Sequence, residues 1–240
     1  MITSVVADLH CHTLASSHAY STVTELAGEA ARKQMLAVAC TDHGVSMQDA
    51  PHIWHFRNLD QLPPRINGVR VLRGVEANVI GTDGSLDMEA ADLEELEIVV
   101  ASMHRGLMPF GSVEEMTAAW TAIAKNPLVD IIGHSGDPRF AYDYDTVIPL
   151  FGQYGKLVEI NENTFAVRRQ SLQNCVHIAQ LCKQHGVRIV VDSDAHYHAS
   201  VGKVEQCLQM LQEIDFPSKL IVNGSADAFK AYLCEKHISL

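Results

Sequence analysis

The chain has 240 residues, 47% apolar and 20% charged, which suits one large buried core and a globular rather than a disordered protein. Its formal net charge is −11 and it carries no basic stripe, so duplex nucleic acid is not an expected partner. No apolar run approaches the ~20 residues of a membrane span.

The opening residues Met1-Ile2-Thr3-Ser4-Val5 lack the basic start of a signal peptide. Cys11, Cys40, Cys175, Cys182, Cys207 and Cys234 form no CxxC pair and read as free thiols of a cytoplasmic protein. Cys175 and Cys182, seven apart, would share one helix face and pack there.

The first β-branched run, Ser4–Leu9, leads into Asp8-Leu9-His10-Cys11-His12. Residues two apart in an extended chain point to one side, so His10 and His12 face a common space while Cys11 turns away. His18 follows in a loop, and Thr24–Lys33 reads as a helix with Thr24 as N-cap. The second run, Ala37–Thr41, ends in Asp42-His43-Gly44. Gly44 permits a tight turn, and Asp42 could orient an imidazole.

Gln61–Asn67, with Pro63-Pro64, reads as a rigid loop. The third run, Arg70–Val75, ends in Glu76. A buried carboxylate is costly unless paired or metal-bound, and its two oxygens suit a bridge between ions. After the acidic loop Gly81–Asp87, the fourth run, Ile98–Ser102, ends in Met103-His104-Arg105. Val113–Lys125 reads as a helix capped by Ser112.

The fifth run, Val129–Gly133, ends in His134, and the sixth, Lys156–Ile160, ends in Glu159-Ile160-Asn161-Glu162-Asn163, whose polar groups read as supports rather than ligands. Arg168–His185 is helix-like with Gly186 behind it. The seventh run, Arg188–Asp192, ends in Asp194-Ala195-His196, and Val201–Glu213 is a further helix. Leu220–Val222 is short, precedes Asn223-Gly224, and stays outside the sheet.

Runs this nearly continuous in apolar residues are strands buried on both faces, and their alternation with helices implies right-handed βαβ units and a parallel sheet. An open sheet gathers a site from two or three strands. Here candidate ligands follow six of the seven runs, which requires a closed barrel with all strand ends round one mouth. The expected fold is a single-domain, distorted seven-stranded (β/α)7 TIM-like barrel over residues 1–240. Imidazole and carboxylate gathered there suit a cluster of divalent metals. His52, His55, His177, His185 and His237 read as surface or helix-face residues, with His198 nearest the site.

The set HxH, TDH, a strand-end Glu, two further strand-end His and a late SDxH resembles the PHP (polymerase and histidinol phosphatase) family. HTLASSHAYST, TDHG, LRGVEAN and GHSGDP are similar to its small stand-alone branch of YcdX-type probable phosphatases. The resemblance implies a site for three divalent ions, zinc first, with manganese or iron as alternatives. His10, His12, Glu76 and Asp194 would hold one ion. Glu76 would bridge to a second with His104 and His134, and His18, His43 and His196 would hold the third. It also implies a homotrimer.

The activity expected is hydrolysis of a small phosphomonoester by a hydroxide that the metals generate, and three ions would offset the chain's acidity at the site. Arg105 is the first candidate for a phosphate clamp, ahead of Arg139, Arg168 and Arg169, and His198 for protonating the leaving group. The alternatives are a PHP-type phosphodiesterase or nuclease, an amidohydrolase-like metal hydrolase, and a non-catalytic metal-binding regulatory module. The second would need a lysine where His104 stands.

Overall fold

A computed structural model describes residues 2–240; Met1, the start of the opening run, lies outside the described residues. Eight strands form one sheet: β1 (Ala7–Asp8), β2 (Ala37–Cys40), β3 (Arg65–Ile66), β4 (Val69–Asn78), β5 (Ile98–Ser102), β6 (Ile131–Ile132), β7 (Leu157–Asn161) and β8 (Ile189–Asp192). All but β3 run parallel, neighbour on neighbour in chain order, as a nearly closed barrel of seven strands. This is the TIM-like architecture that the placement of the ligands required.

The strand β3 is a departure from the expected loop. Asn67 and Gly68 both take left-handed backbone, at φ 52° and 82°, and fold Arg65–Ile66 back antiparallel on β4. Asn-Gly in a two-residue hairpin turn is what such a pair of angles favours. The run Ser4–Leu9 contributes only Ala7–Asp8 to the ladder, and Val129–Gly133 only Ile131–Ile132.

Among the described residues nine α-helices connect and cover the strands: α1 (Val23–Arg32), α2 (Ile53–Arg57), α3 (Ala90–Leu93), α4 (Val113–Lys125), α5 (Tyr144–Gln153), α6 (Thr164–Val167), α7 (Leu172–His185), α8 (Glu205–Glu213) and α9 (Ala226–Glu235). Thr22, not Thr24, caps α1. Its hydroxyl accepts from Glu25 N, and the Glu25 carboxylate accepts from Thr22 N at 2.7 Å. That reciprocal box needs Glu three residues after the cap, which Thr24 does not have. Ser112 and Glu115 make the same box on α4, and Gly186 ends α7 at φ 68°. No described helix is long and apolar enough to cross a membrane, and all six cysteines are free.

Two apolar layers follow from the period-two alternation of the strands. Val38, Val71, Val99, Ile132, Val158 and Val191 face the helices, together with Cys11. Leu9, Ala39, Leu72, Val100, Leu157 and Val190 fill the barrel, and Phe229, Tyr232 and Leu233 of α9 pack with them. Continued by steps of two towards the C-terminal ends, these inner rows become chemistry. Leu72 leads to Glu76, Val100 to His104, Leu157 to Glu159, and Val190 to Asp194.

The seam between β1 and β8 closes without a continuous ladder. Cys11 and Ala195 form a single bridge, and His12 N donates to Ala195 O at 2.8 Å. Lower down, the Asn223 side chain substitutes for a strand. Its amide donates to Ala7 O at 2.9 Å and Val191 O at 2.7 Å, and its oxygen accepts from Val191 N at 3.0 Å. Beside it Ile221 bridges Ile189. The Leu220–Val222 segment, excluded as a strand, is therefore one bridge followed by a short 3-10 turn.

Candidate metal centre

Glu76, 1% exposed, stands at the centre of the barrel mouth. Its Oε1 lies 2.8 Å from His134 Nε2 and 3.4 Å from both His10 Nε2 and His104 Nε2. Its Oε2 lies 2.9 Å from His43 Nδ1 and 3.7 Å from His12 Nε2. Asp194 Oδ1 is 3.2 Å from His12 Nε2 and 3.9 Å from His10 Nε2. At the rim the His18 ring centroid is 5.2 Å from that of His43 and 4.5 Å from that of His196. All nine residues singled out as ligands thus share one space.

His10 Nε2, both ring nitrogens of His12 and both of His43 are buried, and although carboxylate oxygens stand 2.9 Å from His43 Nδ1, 3.2 Å from His12 Nε2 and 3.4 Å from His10 Nε2, none of these nitrogens makes an aligned hydrogen bond. Buried polar atoms are rarely left so, and each costs about 1–3 kcal/mol. A divalent cation is the partner that this donor set fits, since unprotonated imidazole nitrogens and carboxylate oxygens are its ligands. His12/His43/His196, His10/His12/Glu76 and His43/Glu76/His104 each present three ligand atoms within 4.8 Å of one another. His18/His43/Asp49 does the same.

Electrostatics follow from this crowding. Burial would raise the Glu76 carboxyl, but His104, His10 and His43 hold it well below the usual carboxylate range. Burial pushes His12 down to about 4. Burial also acts to lower His10, yet Glu159, Glu76 and Asp194 drive it well above the usual imidazole value.

The surrounding residues fix the rings. Glu159 accepts from His134 N at 2.6 Å and contacts His10 Nδ1 at 2.6 Å. It is the sixth-strand group that works as a support, as expected for that motif. His104 Nδ1 lies 2.7 Å from Asn78 Oδ1, and Asn78 in turn donates to Asp87 at 2.6 Å. Asp87 also accepts from Ser46 N at 2.9 Å and presses against Gly44, where an added Cβ would fall 2.5 Å from its carboxylate.

His134 and Asp194 take left-handed backbone at φ 23° and 54°. Such angles cost of order 1–3 kcal/mol outside glycine and persist where neighbours hold them, commonly at functional sites. Asp42 does not orient a site imidazole. It accepts from Thr13 N at 2.8 Å, Thr13 Oγ1 at 2.7 Å and Ser16 Oγ at 2.7 Å, and so shapes the loop that carries His18.

The structure does not bring Arg105 or His198 to this space. Arg105 is exposed and does not line the cleft, because alternation turns it away from its neighbour His104. His198 sits behind the rim, with Nδ1 3.2 Å from Ser21 Oγ and its ring 4.3 Å from that of Tyr197. The cleft, about 420 Å³, is lined instead by Arg168 beside Glu76, His104, His134 and Asp194. Arg168 Nη2 donates to Asp194 Oδ2 at 2.7 Å, and its Nε is buried and unpartnered. Asp49 was not foreseen, and its only sequence signal is its place in the loop after His43.

The PHP domain family matches residues 8–163. A probable phosphatase of Acetivibrio thermocellus is 42% identical over 231 residues, covering 96% of each chain. A probable phosphatase of Caldanaerobacter subterraneus is 43% identical over 97% of this chain and 92% of its own. The structure of histidinol phosphate phosphatase from Lactococcus lactis, complexed with zinc, L-histidinol and phosphate, superposes with TM-score 0.61 at 13% identity. That match covers 90% of this chain and 95% of the other, a likeness of fold.

Proposed function

Because the chain belongs to the PHP domain family, we propose that it is a metal-dependent phosphoester hydrolase, a phosphatase of small phosphomonoesters with a cluster of about three divalent ions. Zinc is the ion proposed first, since the fold neighbour from Lactococcus lactis holds zinc with phosphate. The carrying observation is the set of unpartnered nitrogens of His10, His12 and His43 turned to one central carboxylate.

His10, His12, Glu76 and Asp194 would hold one ion, Glu76 with His104 and His134 a second, and His18, His43 and His196 a third, with Asp49 beside it. Ions so held would supply Lewis acidity, lowering the pKa of water and offsetting phosphate charge. The chain's own residues do the rest. Glu159, Asn78 and Asp87 hold the rings in place, a role whose loss typically costs 10–100-fold in affinity or activity. Arg168 takes the part first given to Arg105, since a guanidinium lining the cleft can bind phosphate oxygens bidentately. Among the described residues no lysine lines the cleft, which counts against the amidohydrolase-like alternative. The homotrimer is proposed with this reading, and the mass in solution tests it.

The test is turnover by protein reconstituted with zinc or manganese. Phosphate release from monoesters is expected, with Arg168→Ala raising KM about tenfold or more. Cleavage of diesters or amides alone would overturn the phosphatase reading.

A further inference from the structure

A second cleft, of about 440 Å³, opens beside the metal mouth and shares the wall made by Asn163, Asp194 and His196. A molecule held at the metal centre by its phosphate has this space within reach of its other end. Two large aromatic side chains line it while still facing solvent, Tyr20 at 69% and Tyr197 at 50% exposed. Tyrosine faces left open at a ligand cleft offer flat contact area at small entropic cost.

Both tyrosines are tied to the metal rim. Tyr20 N donates to His196 O at 2.8 Å, and Tyr197 is the next residue after His196. The His198 ring packs 4.3 Å from that of Tyr197, and His198 is itself pinned by Ser21. This buttress gives His198 a use that proton transfer does not.

The rest of the cleft is polar and carries charges of both signs, with Lys203 set against Glu162 and Glu205. The Glu162 carboxylate is occupied by Gln206 N at 3.1 Å and Cys207 N at 2.8 Å, where it caps α8. Ser200 and the side-chain carbonyl of Gln206, whose amide donates to Glu162 at 3.1 Å, offer hydrogen-bonding groups along the wall.

We propose that this second cleft is the leaving-group subsite, and that it selects phosphomonoesters whose alcohol carries a flat, hydrogen-bonding ring, of the nucleoside monophosphate type. The inference rests on the phosphatase reading of the adjacent mouth. Base stacking on an aromatic side chain is worth roughly 5–150-fold in binding per base. Its loss is visible against a substrate that has the same phosphate and sugar and no base.

Adenosine 5′-monophosphate and ribose 5-phosphate form that pair. Turnover and calorimetric affinity for both are measured on the metal-loaded protein, on Tyr20→Ala, Tyr197→Ala and Tyr197→Phe, with metal content read on the same samples. The expected result is a preference for the nucleotide in kcat/KM and in affinity. Either alanine variant lowers that preference about tenfold at unchanged metal content, and Tyr197→Phe keeps it. Equal affinity for the two ligands, or alanine variants that weaken both alike, overturns the subsite. Binding of the nucleotide in preference to ribose 5-phosphate without phosphate release from either overturns the phosphatase reading and leaves the ring subsite standing.

Discussion

The two ends of the barrel differ in how far their buried polar groups are paired. At the bottom, every polar atom of the Asn223 side chain has a partner across the β1–β8 seam. Buried Lys156 donates to the carbonyl oxygens of Asn126 and Val129. At the mouth, His10, His12 and His43 keep buried nitrogens without partners, and His134 and Asp194 hold unfavourable backbone angles. The bottom leaves the Tyr232 hydroxyl unpartnered, but among the described residues it gathers no cluster of such groups facing one space. The mouth is destabilised by its own groups unless something else binds them, which is the mark of a site rather than of a core.

Substitutions on the two sides should therefore separate function from stability. Glu76→Ala removes the carboxylate that faces five imidazoles. It should lower monoester turnover by more than about a hundredfold and lose ions from two sites rather than one. Elemental analysis reads this directly, and loss of a single ion per chain would refute the bridging role.

Asn223→Ala strikes the opposite end. It strands Ala7 O, Val191 N and Val191 O in the seam, at a cost of about 3 kcal/mol. For a chain of this size that is a fall in Tm of roughly 10 °C. Metal content of the folded fraction should not change; if it falls while Tm holds, the division between the two ends is wrong.

Asp87→Ala acts on the mouth from a distance, by freeing Asn78 and with it His104. Metal affinity of the folded fraction should drop by about 10–100-fold, as competition against a chelator would show. The smallest effect belongs to Arg105→Ala. An exposed side chain outside the cleft should leave KM for monoesters unchanged, and a rise would return the phosphate clamp to Arg105.

What could be read in the sequence follows the same division. The parallel strands showed as near-continuous apolar runs, and the strand-end histidines and carboxylates could be placed because a closed barrel carries all its strand ends to one mouth. Interactions between side chains far apart in sequence leave no periodic trace. The Asp87–Asn78–His104 chain spans loop and strand, Asn223 reaches two strands about 30 and 216 positions away, and Asp49 sits in an unpatterned loop.

Adjacency also misled. Arg105 follows His104, and alternation alone turns it outward, while Arg168 reaches the cleft from the segment after β7. Other signals were present in the residues and needed a stricter reading. Asn67-Gly68 specified the β3–β4 hairpin, and Glu25 specified Thr22 as the cap of α1.

If the unpartnered groups at the mouth hold a metal cluster, the ions can be counted. Elemental analysis of the reconstituted wild-type chain, alongside its phosphomonoester turnover, tests this most directly. The account predicts about three divalent ions per folded chain, with turnover that vanishes on chelation and returns with the metal. A well-folded sample holding fewer than about two ions, or hydrolysing monoesters equally well without them, would contradict it.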